Sequence, residues 1–173
     1  MKKIIVISGK QYSGKDTLAA LLLNDLADFV RVGIGDAIKY EYAKKNGVTF
    51  DEIVENKHLY RSGLIELGNY GRSIDPDYWL KSIVGMKENV IVPDVRVEHE
   101  VELFKSYGAY SIRVEATYEN RSKRAIITNA DDLTETALDD YKGWDAIIDN
   151  NSDFSNLEKQ EKDLLIKIMK FFS

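Results

Sequence analysis

Along the chain, short β-branched runs alternate with longer stretches in which apolar residues recur every three or four positions. Ile4-Ile5-Val6-Ile7 is the first run, and Leu18, Leu21, Leu22 and Leu26 follow at helical spacing, which predicts a strand and then a helix over about 15–28. Residues 29–34 read as a second short strand, broken by Gly35-Asp36 before a helical stretch over 37–45 that stops at Asn46-Gly47. Val90-Ile91-Val92, Tyr110-Ser111-Ile112-Arg113-Val114 and the 144–149 stretch supply three more strands, with helices expected over 98–107 and 157–172. Such alternation predicts an α/β fold: three layers, with a mainly parallel five-stranded sheet covered by helices on both faces. Only 48–87 departs from the rhythm. It holds a capped start at Thr49-Phe50-Asp51-Glu52, a helix over 57–71, and another opening at Asp75-Pro76-Asp77 with Asp75 as cap. A helical insertion over about 36–87 is expected.

The turn after the first run carries chemistry. Gly9-Lys10-Gln11-Tyr12-Ser13-Gly14-Lys15-Asp16-Thr17 lies between a strand and a helix, where successive backbone N–H groups converge on a phosphate chain and Lys15 follows the β- and γ-phosphates. The usual Ser or Thr after the lysine, which puts a hydroxyl on Mg²⁺, is replaced by Asp16; either Asp16 holds the ion or Thr17 compensates. A second signal is the buried run that ends in Pro93-Asp94-Val95-Arg96: an acid at the carboxyl end of a strand beside a phosphate loop suits the magnesium side of a triphosphate site, with Arg96 in reach of a transferred phosphate. Lys57, Arg61 and Arg72 are spaced so as to converge within the insertion. Arg121, Lys123 and Arg124 crowd a stretch after a late strand, which suits a lid over about 116–132 that neutralises charge on a moving phosphoryl group. His58 and His99 have no partners at ligand or triad spacing and read as structural.

Composition narrows the picture. The 173 residues contain no cysteine, which excludes disulfides and thiolate chemistry. A net charge of −5 speaks against a nucleic-acid polymer as partner, yet leaves room for a few cations gathered in one cleft. The apolar run after Met1-Lys2-Lys3 is too short for a signal segment and no stretch approaches spanning length, so a cytoplasmic chain without a membrane partner is expected.

In order, Ser8-Gly9-Lys10…Ser13-Gly14-Lys15-Asp16-Thr17, Leu67-Gly68…Gly71-Arg72, Asp75-Pro76-Asp77-Tyr78-Trp79, Pro93-Asp94-Val95-Arg96…Glu98-His99-Glu100, Thr134-Glu135-Thr136-Ala137-Leu138-Asp139 and Asp145…Asp149-Asn150 resemble the bacteriophage-type deoxynucleoside monophosphate kinases. An Asp commonly follows the loop lysine in that family. The animal-type phosphomevalonate kinases share the scaffold, and Tyr42-Ala43…Asn46-Gly47, Asp131-Asp132 and Leu138-Asp139 resemble their pattern too. The nucleotide kinases are favoured by Leu67-Gly68…Gly71-Arg72 and Asp77-Tyr78-Trp79. The resemblance implies one P-loop kinase domain over 1–173, a monomer or homodimer, that uses ATP and Mg²⁺ on a small phosphorylated acceptor. It implies that Gly9, Lys10, Ser13, Gly14, Lys15, Asp16, Thr17 and Asn150 bind ATP. Asp16, Thr17 and Asp94 would hold Mg²⁺. Lys15, Asp94, Arg96, Arg121 and Arg124 would be catalytic, and Lys39, Arg61, Arg72, Asp75 and Trp79 would bind the acceptor. The acceptor expected is a deoxynucleoside monophosphate, with mevalonate phosphate the alternative. Another metabolite kinase, such as one acting on dephospho-coenzyme A, or a non-catalytic nucleotide-binding module, would share the same loop.

Overall fold

The chain begins with β1 (Ile4–Ser8), every residue of it buried, which is what a central parallel strand requires. α1 (Lys15–Asp25), β2 (Phe29–Arg31), α2 (Ile34–Asn46), α3 (Phe50–Glu55), α4 (Lys57–Ile74), α5 (Tyr78–Val84), β3 (Asn89–Val92), α6 (Glu98–Ser106), β4 (Tyr110–Glu115), α7 (Tyr118–Arg124), α8 (Leu133–Thr136), β5 (Ala146–Asp149) and α9 (Phe154–Phe171) follow. This computed structural model describes residues 2–127, 130–131 and 133–173, without the side chains of Lys57, His58 and Thr134. The five strands run parallel in the order β2-β3-β1-β4-β5, with Val6 opposite Val92 on one side and Ser111 on the other. The expected α/β sheet is there, as a fully parallel one.

The chain divides into two compact units, residues 1–31 with 87–173, and Val32–Met86. In the first, Ile5, Ile7, Leu18, Leu22, Ile112, Val114, Leu157, Leu164 and Ile168 form one core, with Leu21 and Leu26 packed at its margin. Burying each such side chain is worth about 1.5–3 kcal/mol. In the second unit α2 packs on α3, α4 and α5. Two glycines of α4 let rings come close: a Cβ on Gly63 would sit 2.7 Å from Tyr42, and one on Gly71 would sit 2.8 Å from the Trp79 ring.

Local physics moves several expected boundaries. Gly35-Asp36 does not break the chain; both lie in the first turn of α2, because the Asp36 carboxylate accepts the Gly33 N–H at 3.0 Å and closes that turn. Asp75 ends α4 instead of capping α5: its extended backbone (φ −151°, ψ 122°) is what a residue before proline adopts, and Asp77 takes the N-cap position of α5. Residues 118–124 form a helix, since the Thr117 hydroxyl accepts the Asn120 N–H and three cations fall in its last turn. Asp132 lies outside the described residues, as does part of the 116–132 stretch.

Candidate active site

The first unit builds its site on the turn between β1 and α1. Gly14 adopts φ +100°, and a Cβ there would fall 2.1 Å from Asn150 Nδ2, so no other residue fits without displacing its neighbour. Ser13 N–H donates to the Lys10 carbonyl at 3.0 Å and closes the loop, while the buried Ser13 Oγ has no hydrogen-bond partner among the described residues. Gly14, Lys15, Asp16, Gln11, Tyr12 and Arg124 line a cavity of ≈ 350 Å³ at the head of α1. The positive end of the α1 dipole and Lys15 give this cavity the electrostatics of an anion site.

The acid after the lysine has two cationic neighbours. Asp16 accepts from Lys15 Nζ at 3.2 Å and from Arg31 Nη2 at 3.1 Å, with its own side chain 61% exposed. Burial pushes its carboxyl up, but Lys15 and Arg31 outweigh that and hold it below the ordinary range. Thr17, one residue on, is exposed. Among the described residues no group of three or more His, Cys, Asp or Glu could hold a metal ion by itself. Mg²⁺ typically enters with nucleotide phosphates and borrows only one or two carboxylates, and the oxygen chemistry of Asp16, Thr17 and Asp94 suits that ion, with Asp16 paired to Lys15 and Arg31 in this structure.

Three further residues back the loop from behind. Asn150 Nδ2 donates to the Ser13 carbonyl at 2.7 Å. Arg124 donates to the carbonyls of Tyr12, Ser13 and Asn150 at 2.9, 3.2 and 2.6 Å. The buried Arg121 donates to the carbonyls of Gln11 and Ala116 at 3.1 and 3.2 Å. In this state Arg121 and Asn150 shape the loop's backbone.

Asp94 and Arg96 follow β3, the strand beside β1. Asp94 is half-buried. The Arg96 N–H is held at 2.7 Å by Glu100, whose carboxyl burial pushes up, with Asp94 adding to that and the N–H groups of Arg96 and Val97 opposing it. Residues absent from the sequence-derived set complete this corner. Glu135 accepts from the Gln11 N–H at 2.8 Å and from Arg96 Nη1 at 3.0 Å. Asp139 accepts from Lys10 at 2.6 Å and from Arg113 at 3.3 Å, and Arg113 also donates to Ser8 Oγ at 3.1 Å. Burial lowers the Arg113 pKa against the pull of Asp139, Glu115 and Glu135. An arginine in the middle of the apolar run 110–114 was the available signal for Arg113; Arg31 had none.

The second unit gathers a different group. Lys39, Arg61 and Arg72 line a cavity of ≈ 440 Å³ floored by Ile38, Leu64 and Ile65. Lys39 also pairs with Asp36 at 2.7 Å. Asp75 and Trp79 do not line it: Asp75 accepts from Lys81 at 2.6 Å and from the Asp77 N–H at 2.9 Å, and Trp79, 2% exposed, donates its indole N–H to the Gly68 carbonyl at 3.0 Å. Of Lys57 no side chain is described.

A parallel sheet with a glycine-rich turn after its central strand and a lysine at the head of the first helix is the core of a P-loop protein. The chain is similar in fold to the shikimate kinases of Aquifex aeolicus (TM-score 0.53, 19% identity, 97% of this chain and 96% of that one) and Acinetobacter baumannii (0.54, 15%, 98% and 94%). It is 30% identical to a phosphomevalonate kinase of Drosophila melanogaster over 96% of both chains. The phosphomevalonate kinase family model matches residues 7–110, and the deoxynucleotide monophosphate kinase model matches 70–161. The chain thus belongs to the phosphomevalonate kinase family and shares its later half with the deoxynucleotide monophosphate kinases. It is a phosphotransferase that acts on a small-molecule phosphate, with ATP as the donor its family implies. No helix among the described residues is long and apolar enough to cross a membrane.

Proposed function

We propose that the enzyme transfers the γ-phosphoryl group of ATP to the phosphate of mevalonate phosphate. The observation that carries this reading is the lining of the second unit's cavity: three cations over an aliphatic floor, with no aromatic ring among its described lining residues. A short branched acid with a phosphate suits such a lining, whereas a nucleobase is more commonly met by a stacking face. Full-length similarity to a phosphomevalonate kinase supports the same choice. The residues that favoured a deoxynucleotide do not discriminate, because Gly71 makes room for the Trp79 ring and Gly68 accepts its N–H. The deoxynucleoside monophosphate remains the second reading on account of the family model over 70–161.

In this reading Arg61, Arg72 and Lys39 bind the acceptor's anionic groups. The acceptor phosphate is already a nucleophile near neutral pH, so no side chain needs to be activated. The loop N–H groups and Lys15 orient the triphosphate and oppose the charge that spreads over the transferring group. Arg124 and Arg121 belong to the segment that closes over the donor and excludes water, which would otherwise accept the phosphoryl group. Mg²⁺, held by Asp16, Thr17 and Asp94, would add neutralising charge on the phosphate oxygens. Asp94 and Arg96 would line the transfer path.

The test is ADP release by the purified protein with ATP and Mg²⁺, offered either mevalonate phosphate or each deoxynucleoside monophosphate. Stimulation by mevalonate phosphate is expected; stimulation by a deoxynucleotide with none by mevalonate phosphate would overturn the choice of acceptor.

A further inference from the structure

We infer that Glu135 is a positioning residue that sets Arg96 against the phosphate loop. Its side chain is 4% exposed and both oxygens are used: Oε2 accepts the Gln11 backbone N–H at 2.8 Å and Oε1 accepts Arg96 Nη1 at 3.0 Å. Arg96 itself is 42% exposed, so the carboxylate is the fixed partner and the guanidinium the oriented one. The Gln11 peptide is gripped at both ends, since its carbonyl accepts from Arg121 at 3.1 Å. Arg121 and Glu135 therefore hold one loop residue from opposite sides of the stretch that separates α7 from α8. Asp139, four residues beyond Glu135, meets the neighbouring Lys10 differently, through the side-chain Nζ at 2.6 Å and with its own side chain 39% exposed. A buried carboxylate shared by a main-chain donor and a guanidinium fixes both more tightly than either neutral contact would. An order-of-magnitude loss follows when reacting groups are misplaced even slightly.

The inference rests on the phosphotransfer reading for its turnover measurements alone. Glu135→Ala and Glu135→Gln are compared in the natural chain and in an Arg96→Ala background, by kcat and KM with ATP and the accepted phosphate. Affinity for a non-hydrolysable ATP analogue is read by calorimetry. In the natural background Glu135→Ala is expected to lower kcat about tenfold or more while the acceptor KM changes less than about twofold. With Arg96 already removed, the same change is expected to cost under about twofold further, the sign of a residue acting through another. Glu135→Gln keeps the volume but turns an amide N–H toward one of its two donors, so kcat is expected to fall as in the alanine variant while the side chain still fills its place. Should Glu135→Ala fail to fold, Glu135→Gln carries the same comparison. Equal losses in both backgrounds, or a Glu135→Gln variant with parental kcat, would overturn the inference. If the natural chain turns over no acceptor, the functional reading fails and analogue affinity decides: weakening of about threefold or more by Glu135→Gln supports the clamp, and unchanged affinity sinks it.

Discussion

The phosphate loop and the cationic cavity of the second unit, the two sites proposed for phosphate, are built from different materials. The proposed grip of the loop is mainly main-chain: a left-handed Gly14 leads directly into the N-terminus of α1, whose first N–H groups have no partner within the helix. Side chains gathered from two helices supply the cavity instead, Lys39 on α2 and Arg61 and Arg72 on α4. Backbone donors recognise any phosphate chain and tolerate little change. Side-chain donors can be exchanged, so selectivity belongs with them.

Breaking the first region is expected to have the largest effect. Lys15→Ala should lower kcat by about 10²–10³-fold, since it removes a charge aimed at the transferring group; retained turnover in a rapid-quench assay would defeat the mechanism. Next comes the second region: Arg72→Met should raise the acceptor KM by about 10–100-fold, as loss of a charged hydrogen bond does, and leave ATP affinity as it was. A parallel fall in ATP affinity would erase the division of labour. Gly71→Ala should destabilise by about 1–3 kcal/mol through overpacking against Trp79, where an open helical site would gain from alanine. Thermal unfolding followed by Trp fluorescence measures it. The mildest effect lies away from both regions, at Glu161, whose burial raises its pKa against the pull of Lys162. A raised carboxyl gives stability that is present below its unfolded pKa and fades as pH rises through the folded one. Glu161→Gln should therefore flatten the decline of the thermal midpoint across that window.

Sequence and structure agree most where the determinants are local. The strand, turn and helix at 4–25 can be read because the apolar run, glycines and lysine that mark them lie within a few residues of Gly9, and β3 through Arg96 can be read because an apolar run ends in an acid. The cavity is half legible: cation spacing along α4 points to Arg61 and Arg72, while Trp79 looks equally like a ligand contact until Gly71 is seen beneath its ring. Glu135 is illegible, as its bond to Gln11 joins positions 124 residues apart and its bond to Arg96 spans 39. No periodicity or motif reports which distant peptide a buried acid will find.

Helix α4 shows what such a division permits over longer times. Gly63 and Gly71 lie under Tyr42 and Trp79 and are fixed by the rings above them, whereas Arg61, Leu64, Ile65 and Arg72 face a cavity. One side of a single helix can therefore diversify by point substitution while the other holds the architecture constant.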